Sequence, residues 1–182
     1  MNGARITGIL LAVFLMALLS FSPPLAAERT DGKPGPGDPA PPFAAADMEG
    51  RNISLDEHIT SGNIVLLNFW GLRCANCIVE IGYLNPMLEK YRGEKVVFLG
   101  VNVDAASPEV IKQMMPKMAN IPRYTVIPDP ELKICDLYNL AGAPLSIVIG
   151  KDGRIAYRHE DFAPGDEKEL EDVLQKALSA GR

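Results

Sequence analysis

The hydrophobic pattern divides the chain into three stretches. In the first, Ile9 to Leu19 is apolar throughout and Arg5 is the only charge before Glu28. Ser20, Phe21, Ser22, Pro23 and Pro24 break that run, and Leu25-Ala26-Ala27 offers small residues for cleavage. The run is shorter than the roughly 20 apolar residues a membrane helix needs. Residues 1–27 therefore predict a secretory signal peptide, with an uncleaved N-terminal anchor as the rival; either would export the rest of the chain. The second stretch, 28–42, carries Pro34, Pro36, Pro39, Pro41 and Pro42 with Gly32, Gly35 and Gly37. Such a composition disfavours helix and strand and predicts a solvated linker.

The third stretch, 43–182, reads as one globular domain. Asn52 to Leu55 alternates and predicts a short strand. Ile64 to Trp70 is a continuous apolar run, as a buried strand would be. Residues 75–92 show helical periodicity, and Val96 to Val103 predicts a second buried strand. Ser107-Pro108-Glu109 starts a helix, Tyr124 to Ile127 is a third short strand, and Pro130 to Leu140 another helix. Leu145 to Ile149 and Arg154 to Arg158 predict a hairpin across Gly150-Lys151-Asp152-Gly153, and Asp166 to Ala180 a closing amphipathic helix. Strands alternating with helices imply an α/β fold: a mainly parallel sheet with helices on both faces, made mixed by its terminal hairpin.

Composition narrows the function. The chain has 182 residues, a formal net charge of −5 and 47% hydrophobic residues, enough for one domain with a sizeable core. The acidic balance argues against a nucleic-acid partner. Three cysteines cannot build a disulfide-rich scaffold, and two histidines leave little for a metal site.

The chemistry lies where the first buried strand ends. Cys74-Ala75-Asn76-Cys77 comes directly after that strand and opens the next helix. At a helix N-terminus, unpaired N–H groups and the dipole stabilise a thiolate, which makes Cys74 the nucleophile and Cys77, one turn on, the resolving thiol. A purely structural disulfide is the weaker reading, because a ring this small constrains the unfolded chain little. Zinc would need further ligands that are absent nearby. At about 100° per residue, Glu80 falls between Met87 and Tyr91 on the apolar side of the helix. A carboxylate there is desolvated, its pKa is raised, and it can take the proton of Cys77; snorkelling or pairing with a cation is the alternative. Arg73, next to Cys74, either favours the thiolate or is a solvated loop arginine. Pro144, opening a strand after Ala143, is a position where a cis bond would bring backbone beside the cysteines. Cys135, between Ile134 and Leu137 in sequence, reads as a buried small hydrophobe, with a reactive or intermolecular thiol as the alternative. His58 and His159 read as surface residues.

Together these residues resemble a family. Phe69-Trp70, three residues, then Cys74-x-x-Cys77 looks like the active-site stretch of thioredoxin-fold proteins. Glu80, Ala141-Gly142-Ala143-Pro144, the opening Pro41-Pro42-Phe43 and the Lys151 to His159 stretch are similar to the TlpA/ResA/CcmG-like exported thiol-disulfide oxidoreductases. The resemblance spans roughly residues 40–178. It implies a thioredoxin fold with an N-terminal β extension, a cis Pro144 facing the cysteines, and Trp70, Arg73, Ala143 and Pro144 at the substrate. It also implies an extracytoplasmic or periplasmic location, no bound cofactor, disulfide-containing exported proteins as partners, apocytochrome c being one candidate, and a membrane thiol-disulfide electron donor. The chain departs from the pattern at Arg73, where the family often has Trp, and at Ala75 and Asn76, where it often has Pro. It departs again at Asn68, where thioredoxin has a buried Asp, and at Leu145, where CcmG-like proteins usually have Glu.

The expected function is reduction of protein disulfides through Cys74 and Cys77. The rivals are the same chemistry run as a thiol oxidant, a peroxiredoxin-type peroxidase, and a copper-binding module. Against the peroxidase, Gly71 stands three before Cys74, where that family looks to have Thr or Ser.

Overall fold

The computed structural model describes residues 32–180. The expected signal peptide and the first part of the linker lie outside them.

A five-stranded sheet organises the domain. Its strands are β3 (Ile64–Trp70), β4 (Val96–Asn102), β5 (Thr125–Pro128), β6 (Leu145–Ile149) and β7 (Ile155–Glu160), in the order β5-β4-β3-β6-β7. A separate antiparallel pair, β1 (Ala44–Ala46) and β2 (Asn52–Ser54), forms the N-terminal β extension. β3, β4 and β5 run parallel, whereas β6 is antiparallel to both β3 and β7. The sheet is thus evenly mixed rather than mainly parallel. Sequence spacing shows that a hairpin exists but not which neighbour its first strand takes.

Every residue of β3 is buried, as its uninterrupted apolar run requires of a strand covered on both faces. Helix α2 (Ala75–Lys90) and helix α5 (Asp166–Ser179) cover one face with Leu84, Met87, Leu170 and Leu174. Helix α4 (Lys133–Leu137) adds Ile134 and Cys135 to the core of the other face, together with Phe43, Leu55 and Tyr138. Helix α1 (Leu55–Thr60) begins at Ser54, whose hydroxyl accepts from the Glu57 N–H, with Asp56 and Glu57 complementing the dipole. It is too short for periodicity to reveal. Helix α3 (Pro108–Met114) passes into a 3₁₀ turn at Met115–Lys117. α4 is shorter than the expected 130–140 because Leu132 and Asn139 adopt left-handed backbone (φ 55° and 44°), which brackets it.

The described part of the Pro/Gly-rich stretch contains no helix or strand, but it is not a solvated spacer. It lies along the edge strand β7: Gly37 N–H donates to the Ile155 carbonyl (2.8 Å), Ile155 N–H to Asp38 (2.9 Å) and Ala40 N–H to Gly153 (2.9 Å). The prolines leave these donors in place, and the edge gains cover that discourages pairing with another chain. At the opposite edge Met48 N–H donates to the Val126 carbonyl of β5 (3.1 Å). The N-terminal extension therefore caps both edges of the sheet.

Candidate active site

β3 ends at Trp70, and the chain turns through Gly71 and Leu72 into α2. The Asp104 carboxylate holds this turn by accepting from Leu72 N–H and Asn102 Nδ2, both at 2.7 Å. Cys74 is the N-cap of α2, and its sulfur accepts from the Cys77 N–H at 3.2 Å. Cys74 and Cys77 are joined in a disulfide. Cys74 is partly exposed, whereas Cys77 is fully buried. A partner can therefore reach only the first sulfur, which is also the one nearest the positive end of the helix.

The Ala143–Pro144 loop faces this disulfide. The Ala143–Pro144 bond is cis, and the Ala143 carbonyl oxygen lies 3.5 Å from Cys74 Sγ. Pro144 is buried and Ala143 half-buried.

Glu80 lies on the turn of α2 after Cys77 and is 1% exposed. Its Oε1 accepts from Ser146 Oγ (2.7 Å) and its Oε2 from Asn68 Nδ2 (2.8 Å). Asn68 Nδ2 also reaches Ser146 Oγ (3.2 Å), and Tyr124 donates its hydroxyl proton to Asn68 Oδ1 (3.0 Å). An ionised Glu80 can only accept, so it turns the Asn68 amide nitrogen toward itself and leaves the amide oxygen to Tyr124. Sheet register explains the cluster: Val126, Gly100, Asn68, Ser146 and His159 form one row across the five strands. Gly100 is required there, because a Cβ would come within 2.7 Å of the Tyr124 ring and 3.0 Å of Trp70 Nε1. Burial pushes the Glu80 carboxyl up to about 7; the hydrogen bonds from Ser146 and Asn68 hold it back, and His159 pulls in the same direction. A carboxyl titrating near neutrality, one turn from a buried thiol, can accept and return that thiol's proton.

The sequence-expected residues divide in position. Cys74, Cys77, Glu80, Ala143 and Pro144 come together. Arg73 is exposed beside Cys74. Trp70, expected at the substrate, is fully buried among Cys77, Ile81, Ile111 and Val126; it backs the site and offers a partner no surface. Its position at the end of a fully buried strand dictates this. Sequence reasoning misses Asn68, Ser146 and Tyr124 as the support of Glu80. Asn68 and Ser146 carry a signal, each being polar inside an otherwise apolar strand; Tyr124 carries none, since its role depends on a long-range contact. Cys135 is a buried free cysteine whose thiol is pushed up to about 12, chiefly by burial, so it stays protonated.

A thioredoxin fold with a half-shielded cysteine pair beside a cis-proline loop defines a thiol-disulfide oxidoreductase, and the relatives of the chain bear this out. A family model described as AhpC/TSA matches residues 36–158, and the chain belongs to that family. It is 31% identical over 140 residues to a thiol-disulfide oxidoreductase ResA of Bacillus cereus, covering 77% of each chain. The ResA of Bacillus anthracis is 30% identical over 140 residues, again 77% of each chain. Among solved structures, a putative thiol:disulfide interchange protein DsbE from Chlorobium tepidum is 29% identical with a TM-score of 0.71, over 80% of this chain and 99% of that one. A putative protein disulfide isomerase from Bacteroides thetaiotaomicron shares the fold at a TM-score of 0.70 and 19% identity, over 81% of this chain and 94% of that one.

Proposed function

We propose that the protein reduces disulfides of exported proteins, with Cys74 attacking and Cys77 resolving. The observation that carries this reading is the asymmetry of the pair: one sulfur is partly exposed at a helix N-terminus, and the other is buried beside a carboxyl held near neutrality. The reduced Cys74 thiolate attacks a partner disulfide, forms a mixed disulfide and expels a partner thiolate. Cys77 then gives its proton to Glu80 and attacks Cys74 Sγ. The second partner sulfur leaves as a thiolate that takes up a proton, and the enzyme is left as the disulfide.

Export is supported by the pattern of residues 1–27, as a cleaved signal or as an anchor; among the described residues no helix is long and apolar enough to cross a membrane. An extracytoplasmic protein of this kind needs a membrane electron donor for its reduction. Apocytochrome c is one candidate partner. The resemblance to ResA and DsbE supports these assignments.

The reduction potential of the Cys74–Cys77 pair, measured in glutathione and dithiothreitol buffers, tests the direction. A value near −270 mV, about that of thioredoxin, fits a reductant. A value near −120 mV, about that of DsbA, would make the protein an oxidant instead.

A further inference from the structure

Asp161 comes directly after β7 and has left-handed backbone, φ 70°, a conformation that non-glycine residues seldom adopt. Three attachments radiate from it and its neighbour. Its N–H donates to the Pro144 carbonyl at 2.9 Å. Its Oδ1 accepts from Asn76 Nδ2 at 2.8 Å, and Asn76 lies between the two cysteines. The same oxygen accepts from Phe162 N–H at 2.8 Å, and the Phe162 ring packs on Tyr83 of α2 with centroids 5.5 Å apart. One residue thus holds both segments that meet where the Ala143 carbonyl oxygen contacts Cys74 Sγ at 3.5 Å. Its carboxyl is held below the usual carboxylate range, first by the Asn76 hydrogen bond, so it is ionised at neutral pH and the bond to Asn76 is charge-assisted.

We propose that Asp161 is a positioning residue that fixes the Cys-x-x-Cys dipeptide against the Ala143–Pro144 loop and so aligns the two segments across which a polypeptide disulfide must lie to be attacked. This rests on the reading of Cys74 as the attacking thiol. The left-handed backbone aims the N–H at the Pro144 carbonyl while the side chain reaches Asn76. Glycine would suit the backbone equally well and would supply only the first contact. A polypeptide substrate has chain on both sides of its cysteine and must lie across both segments, whereas a small symmetrical disulfide need only reach Cys74.

The test uses the reduced full-length protein and two probes, insulin and 5,5′-dithiobis(2-nitrobenzoate). Asp161→Gly should slow insulin reduction about tenfold, equivalent to about 1.4 kcal/mol, and slow the small disulfide less than threefold. Asp161→Asn, which keeps an acceptor for Asn76, should regain most of the insulin rate. Asn76→Ala should match Asp161→Gly, and the double variant should be no slower than either. The proposal is overturned if Asp161→Gly reduces insulin at the wild-type rate, if both probes slow in parallel, if Asp161→Asn is as slow as Asp161→Gly, or if the two losses add. Cys74→Ser separates the two levels of inference. If it still reduces insulin, the site itself is misassigned. If it is inactive while Asp161→Gly is unimpaired, only the positioning proposal fails.

Discussion

The two faces of the sheet are built from the same strands and used differently. On one face the side chains of β3, β4 and β6 are Val65, Leu67, Phe69, Val97, Leu99, Val101, Leu145, Ile147 and Ile149, all apolar and all in or against one core cluster. On the other face the same strands present Ile64, Leu66, Val96, Phe98 and Val148 at one end, and Asn68, Gly100, Ser146 and Asn102 beside Trp70 toward the disulfide. The first face stabilises the fold by burying hydrocarbon. The second gives up part of that stabilisation to keep a carboxyl dry beside Cys77. A buried carboxylate costs free energy unless it is hydrogen-bonded, and two donors satisfy Glu80 without neutralising it. A cation in contact would have held Glu80 ionised and removed its capacity to take a proton at neutral pH.

The contrast can be broken from either side. The largest expected effect is on the apolar face: Phe69→Ala should lower stability by about 3–5 kcal/mol, equally at pH 5 and pH 8, in urea unfolding. Next is Glu80→Gln. The Glu80 carboxyl is raised from 4.5 to about 7 on folding, so the stability tied to its protonated form is fully present below 4.5 and lost as pH rises through 7. The wild type should therefore lose about 3 kcal/mol over that window, and Glu80→Gln should flatten the profile while slowing resolution by Cys77. Tyr124→Phe should cost about 1 kcal/mol by removing its bond to Asn68. Smallest is Ser146→Ala, which removes a donor that favours the ionised form. The stability loss should then centre at higher pH than in the wild type, as followed by Tm across pH 4 to 9.

Much of this arrangement is legible in the sequence. The apolar run from Ile64 to Trp70, the cysteine spacing and the helical phase of Glu80 identify the strand, the disulfide-bonded pair and the buried carboxyl, because each depends on local sequence pattern. What escapes depends on contacts distant in sequence. The Tyr124–Asn68 bond spans 56 positions and the Asn76–Asp161 bond 85. Motif resemblance alone puts Trp70 at the substrate, although its place at the end of a buried strand argues for the interior. Composition shows that the Pro/Gly-rich stretch lacks regular structure, but not that it can lie along a sheet edge.

The most direct test of the account is the pH dependence of resolution. A mixed disulfide of Cys74 with thionitrobenzoate is formed, and release of the coloured thiolate by Cys77 is monitored in single turnover from pH 5 to 9. The wild-type rate should rise with an inflection near 7, and the Glu80→Gln rate should be lower at pH 7 and rise only toward the ordinary thiol range, about 8.5. Superimposable profiles for the two proteins would contradict the account, because Glu80 would then take no part in moving the proton of Cys77.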